Sequence, residues 1–310
     1  MTDNLSQLPP IKSAFSSSSN TRQIPLTCSG HTRPVVQLSF SKILTDGSYL
    51  LVSSCKGHKG AVWSTRLNDE ATRAVTASAD FTAKVWDTTN GNVIHTLEHK
   101  HIVRSADFVD GKCENVVTGG SERILRLFDL NKPQDPTVIA AHESTIKDVI
   151  WIPKVSAVLS ASEDGKVNLT DIRSMSQIHS FSVPEPIKRI SLSGGGDMIT
   201  CGAGNKAYIW DSTKFNQIKV FEAPYGVSVV SVHPDHSRFV TGSISETSVR
   251  VYDFETDREL ELYKGHHGPI HDICHSPDGA IYSSGSEDGT VRLWQTVPGT
   301  AYGLWQPRTV

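Results

Sequence analysis

The chain has 310 residues, 30 basic and 33 acidic side chains and a net charge of −3. That balance excludes bulk polyanion attraction, so direct nucleic-acid binding is not expected. No apolar run approaches the roughly 20 residues that span a bilayer, and no charged-then-apolar leader opens the chain; no membrane insertion is expected, and the protein is placed in the cytoplasm and also the nucleus. Its five cysteines, Cys28, Cys55, Cys113, Cys201 and Cys274, are odd in number and form no C-x-x-C, as reduced thiols would be.

Residues 1–22 hold the run Ser16-Ser17-Ser18-Ser19 and few large apolar side chains, and read as a disordered tail, either a solvated leader or a phosphorylated docking segment. Residues 23–305 carry the folded domain and 306–310 a short C-terminal tail. Ile24–Cys28 is a short extended segment ahead of Gly30-His31. The first unit after it is abnormal, because His31 to His58 is 27 residues while His58 to His99 is 41 and His99 to His142 is 43. A strand within Arg33–Phe40 and a second within Tyr49–Ser54 fit, and then Lys56-Gly57-His58 arrives where a turn and third strand belong. About fifteen residues, enough for two strands, are missing. Either half a blade is tolerated or the chain is a shortened product of a longer parent; the open strand edge of a half blade favours the second.

From Gly57 the pattern is complete: Gly57-His58, a first strand, a second strand through Thr76, a turn at Asp80, a third strand ending Trp86-Asp87, and the Asn90-Gly91 hairpin turn. The following units keep parts of it. One has Thr118 and Phe128 but Glu122 at the turn, and the next has Ser160 and Asp164 but Thr170 at the aromatic position. Two units, ending at Asp211 and Asp253, lack the histidine. The last returns in full from Gly265-His266 through Ser276-Pro277-Asp278-Gly279 and Asp288-Gly289 to Trp294. The closing pairs, from Trp86-Asp87 to Trp294-Gln295, are 42, 42, 40, 42 and 42 residues apart.

A period of 40 to 45 residues with Gly-His at one end and Trp-Asp at the other resembles the WD-repeat family, over about residues 24–305. The resemblance implies an all-β WD-repeat β-propeller, nominally seven blades with the first truncated: six full blades plus half a blade. In such rings an N-terminal strand often completes the last blade. Ile24–Cys28 is placed to do so, and Ala301–Trp305 is a rival at the right distance from Trp294.

The resemblance also implies that His58, Thr76, Asp80 and Trp86 in one blade, and His266, Ser284, Asp288 and Trp294 in the last, form hydrogen-bonded sets. A His–Asp–hydroxyl grouping suits nucleophilic catalysis, but a set recurring blade after blade is scaffolding that fixes register. Zinc is the other lure, in His266, His267, His271, Cys274 and His275. On a strand His271 and His275 stand about 13 Å apart, too far to share an ion whose ligands each sit about 2 Å away. Gly194-Gly195-Gly196-Asp197 opens no helix and cradles no phosphate. No enzyme, metal or cofactor is expected.

Propellers usually bind partners at the channel rim, near the residue five after each blade histidine. Those positions are Val36, Trp63, Arg104, Lys147, Lys188, Ser228 and His271. Trp63 reads as an aromatic anchor and Arg104, Lys147 and Lys188 as a basic arc for an acidic partner; snorkelling cations around a packed Trp are the other reading. The stretches 26–40, 57–63, 79–87, 99–104, 128–133, 221–224 and 286–296 are similar to one group of WD-repeat scaffolds. That similarity implies a non-enzymatic component of the survival-of-motor-neuron complex in spliceosomal snRNP assembly. It also implies contact with TGF-β receptors and an inhibitory Smad, damping that signal. The WD-repeat subunit of translation initiation factor three is the alternative.

Overall fold

The computed structural model describes residues 23–53, 57–109 and 113–299. The expectations for residues 1–22, 301–305 and 306–310 lie outside them. Among the described residues six four-stranded antiparallel sheets and one two-stranded sheet form the ring. The half blade spans 38–53; the complete blades span 62–98, 103–141, 146–182, 187–222 and 227–264, and the last spans 270–295 and borrows a strand.

Each complete blade is a meander whose strands alternate direction, as short segments joined by tight turns must. Its first strand lines the ring interior and its fourth faces outward. In the second blade these are Val62–Leu67, Arg73–Ser78, Thr82–Asp87 and Val93–Glu98. The second strand is sunk almost entirely in the fold, the outer one mostly exposed. Six buried apolar clusters lie each between two neighbouring blades, among the described residues, so no blade has a core of its own.

The seventh blade is completed by Leu26–Cys28, which pairs antiparallel with Val291–Gln295 in the register Leu26 to Leu293 and Cys28 to Val291. Gln23 anchors the lead-in through its amide, which donates to the Gln295 carbonyl (3.1 Å).

The half blade is narrower than the sequence suggests: Leu38–Phe40 pairs with Leu51–Ser53, three residues each. It nevertheless occupies a full place, its inner strand packing between those of blades two and seven. Neighbours hold it. The Val35 N–H donates to the Ser286 carbonyl (2.9 Å) and the Leu38 N–H to Asp272 Oδ2 (2.7 Å), while Gln37 Oε1 accepts from the Thr65 N–H (2.7 Å). Val35 and Leu38 pack with Val291 of blade seven.

Candidate interaction surface

The repeating polar sets lie inside the blades. In blade two His58 Nδ1 is 2.9 Å from Asp80 Oδ2 and Nε2 is 2.7 Å from Thr76 Oγ1, which also accepts from Trp86 Nε1–H at 2.8 Å. Blade seven repeats this with His266, Asp288 (3.1 Å), Ser284 (2.7 Å) and Trp294 (2.9 Å). Burial lowers the affinity of both imidazoles for a proton and keeps them neutral. Burial pushes Asp80 and Asp288 upward, but hydrogen bonds from Thr82 and Thr290, from the histidines and from backbone N–H groups hold both well below the usual carboxylate range. Thr76 and Ser284 are fully buried, so neither hydroxyl can meet a substrate; these sets fix strand register.

Blades three and four keep the histidine–hydroxyl bond, His99 to Thr118 (2.9 Å) and His142 to Ser160 (2.8 Å). Blade six solves the same problem differently. The Tyr225 hydroxyl bonds Thr241 (2.7 Å) and Tyr252 (2.8 Å), a tyrosine standing in for the histidine.

The predicted rim residues start the inner strands, and the structure joins them unequally. Arg104 lies over the Trp63 ring, its guanidinium carbon 4.0 Å from the ring centroid. Lys147 Nζ is 2.5 Å from Glu163 Oε1, and His271 pairs with Glu287. Lys188 is exposed and makes no ion pair among the described residues. The basic arc is therefore partly neutralised: Glu163 sits against Lys147 and within the field of Arg104, and both lower its proton affinity.

The two acids were not anticipated. Each precedes the turn aspartate, in Glu163-Asp164 and Glu287-Asp288, and each backbone N–H donates to a residue just ahead of the inner strand, Thr145 (3.0 Å) and Pro269 (2.9 Å). The Ser-Glu-Asp-Gly string shared by the two blades was the available signal. Among the described residues no three potential ligand side chains gather for a metal; His271 and His275 go to different partners, Glu287 and Ser231.

A model of the WD domain, G-beta repeat, matches residues 49–87, 215–253 and 258–295. The chain is 43% identical over 305 residues to serine-threonine kinase receptor-associated protein of Homo sapiens, covering 92% of this chain and 86% of that protein. The Dictyostelium discoideum protein of that name is 44% identical over 292 residues, covering 87% of this chain and 98% of its own. The chain belongs to the WD-repeat family of the serine-threonine kinase receptor-associated protein. Eukaryotic translation initiation factor 3 subunit I of Drosophila sechellia is a more distant likeness, 27% identical over 323 residues and 90% of this chain.

The family matches and the structure divide the half blade differently. The matches at 215–253 and 258–295 open with the outer strands Gln217–Glu222 and Glu259–Lys264. In the match at 49–87 that place is taken by Leu51–Ser53, which the structure uses as the second strand of the half blade.

Below the rim the channel widens to a cavity of about 500 Å³, lined by residues including Arg66, Asp107, Arg189 and Asp272. Arg189 Nε is 3.0 Å from Asp272 Oδ1, and its Nη1 donates across the channel to the Val36 carbonyl (3.3 Å). Asp148 accepts from the Ser105 hydroxyl at 2.8 Å, with Arg66 at 3.9 Å. Burial pushes Asp107 up to about 6, although its Oδ2 accepts from the Trp151 N–H. This ring of charge ties blades two, three, four, five and seven together and grips the half blade from two sides.

Proposed function

We propose that this chain is a non-enzymatic scaffold that seats an acidic segment of a protein partner on the rim formed by Trp63, Arg104, Lys147, Lys188 and His271. The Arg104–Trp63 contact supports this reading: a guanidinium over an indole offers a cationic and aromatic platform. Exposed Lys188 extends the positive field toward blade five.

The likeness to serine-threonine kinase receptor-associated protein supports a finer reading. The partners are components of the survival-of-motor-neuron complex, in spliceosomal snRNP assembly and so in mRNA processing and splicing. TGF-β receptors and an inhibitory Smad are partners in the damping of that signal, and the protein works in cytoplasm and nucleus. The relative's own name records association with a serine-threonine kinase receptor.

The test is affinity purification of the full chain from its own cells with mass spectrometry of what stays bound. The expected result is recovery of Sm-assembly components by the wild type and their loss from the triple variant Arg104→Glu, Lys147→Glu, Lys188→Glu. Recovery of initiation-factor subunits instead would replace the finer reading, and unchanged capture by the variant would remove the rim.

A further inference from the structure

The cavity below the rim turns its cations inward and sinks its acids into the wall. Arg66 and Arg189 keep 18% and 14% of their side-chain surface open, against 2% for Asp148 and 4% for Asp272. The wall itself holds the acids. Asp107, also buried, accepts from the Phe108 and Trp151 N–H groups (both 2.9 Å), Asp148 from the Val149 N–H (3.0 Å) and the Ser105 hydroxyl, and Asp272 from the Leu38 N–H.

The guanidinium groups are not matched in the same way. The Arg66 side chain donates no hydrogen bond among the described residues: Nε and Nη2 are buried without an acceptor, and the Asp148 oxygen 3.9 Å from Nη2 is beyond hydrogen-bond reach. Nη1 is the nitrogen left to the cavity. Arg189 engages Asp272 through Nε and the Val36 carbonyl through Nη1, and its Nη2 has no acceptor among the described residues. Arg189 Nε is also 3.9 Å from the other Asp148 oxygen, so the two guanidinium groups flank the same carboxylate. The space in front of them, about 500 Å³, is within the range of pockets that hold small organic ligands. Farther along the same inner strands, toward the turns that end them, the lining becomes apolar, with half-buried Phe40, Leu67, Trp151 and Leu192.

We propose that this cavity binds a small organic carboxylate, its oxygens on Arg66 and Arg189 and its apolar body among Phe40, Leu67, Trp151 and Leu192. A carboxylate offers a guanidinium edge two acceptors, and such charge-assisted bonds are strongest where water is scarce. The acids behind the arginines set the limit. A ligand with further negative charge would be repelled by Asp107, Asp148 and Asp272, which favours a monoanion. Trp63 and Arg104 stand at the opposite ends of the inner strands and are absent from the lining, so this site is independent of a partner on the rim.

The probe is phenylbutyrate, titrated calorimetrically into the full chain beside phenylbutyramide, which has the same shape and no charge. Saturable binding of the acid is expected, about tenfold or more tighter than that of the amide, as for loss of a hydrogen bond to a charged group. Arg66→Gln should weaken the acid by a similar factor and leave the amide as it was. The comparison of the two ligands uses the unaltered protein, so its result stands even if the variant unfolds. Absence of saturable binding of the acid would overturn the proposal. So would equal affinity for acid and amide, or full binding of the acid by a folded Arg66→Gln protein.

Discussion

Blade two and the half blade begin alike, with Gly-His corners and a histidine bonded to a second-strand hydroxyl, and then diverge. Blade two encloses its hydroxyl between an imidazole and an indole and hands on to an outer strand. Among the described residues the half blade has no strand beyond Leu51–Ser53, and its neighbours hold it. The difference shows which features a propeller place requires. Strands of a meander alternate direction, so removing two leaves the chain running the right way into Gly57-His58. The inner strand, the element that closes the ring, is retained and clamped by Asp272, Thr65, Ser286 and Arg189.

The sharpest way to break this arrangement is at the clamp rather than within the half blade. Asp272→Ala would take from Arg189 its nearer carboxylate, leaving Asp148 at 3.9 Å, and orphan the Leu38 N–H, both inside the channel wall. A cost of about 3–5 kcal/mol in urea unfolding is expected, as for one partner lost from a buried pair. Asp272→Asn, which keeps an acceptor for Leu38, should cost less. If the alanine variant were as stable as the wild type, the half blade would be held by other contacts. Next in size is a paired comparison at Thr76. Thr76→Val leaves His58 Nε2 and Trp86 Nε1 without a partner and should cost about 2–3 kcal/mol, whereas Thr76→Ser, which keeps the hydroxyl, should cost about 1 kcal/mol. Equal costs would mean that the lost methyl group, and not the hydroxyl, carries the effect.

Acid should separate the complete blades further. Burial lowers the proton affinity of His58, His142 and His266, and brings His99 to about 4. Their folded values lie below the unfolded value of about 6.5, so the unfolded chain binds more protons as pH falls. Stability present above pH 6.5 is therefore lost toward pH 4, by about 1.4 kcal/mol per pH unit for each fully titrating histidine. Asp107, at about 6, has the opposite sign: the fold binds its proton more tightly, which offsets about one of them over the same window. His99→Gln should lower the slope of unfolding free energy against pH by about one proton. An unchanged slope would show that His99 does not titrate with unfolding.

The repeat period, the order of strands and the members of each polar set were legible because each depends on neighbours within one repeat. The missing strands were legible too, as a short interval between His31 and His58. What the sequence left open were matters of which copy meets which. Ile24–Cys28, of which Leu26–Cys28 forms the strand, was one of two candidates for the last blade, since strand propensity does not say which edge a segment reaches. Tyr225 was not legible because the repeat motif carries histidine at that corner, and a phenol reaches the same hydroxyl. Arg66, Asp107, Asp148, Arg189 and Asp272 come from five different inner strands, and only the closed ring brings their charges together. Glu163 and Glu287 were hidden for a related reason: turn residues look solvent-facing until the inner strand folds back beside them.

Those acids supply the smallest effect and the last contrast. A complete blade has a turn between its second and third strands, and in blades four and seven that turn carries a carboxylate to the rim. The described part of the half blade has no third strand, so its sector of the rim, next to Trp63, takes no acid from such a turn. Glu163→Gln removes the partner of Lys147 and a neighbour of Arg104, making the arc of Arg104, Lys147 and Lys188 more positive. Because the pair is partly exposed, folding stability should change by less than about 1 kcal/mol. Capture of an acidic partner should instead rise severalfold, with most of the gain in association rate at low salt and most of it lost at high salt. A salt-independent gain would mean that the substitution acts by reshaping the rim rather than by its field. No gain at all would place the acidic partner elsewhere on the ring.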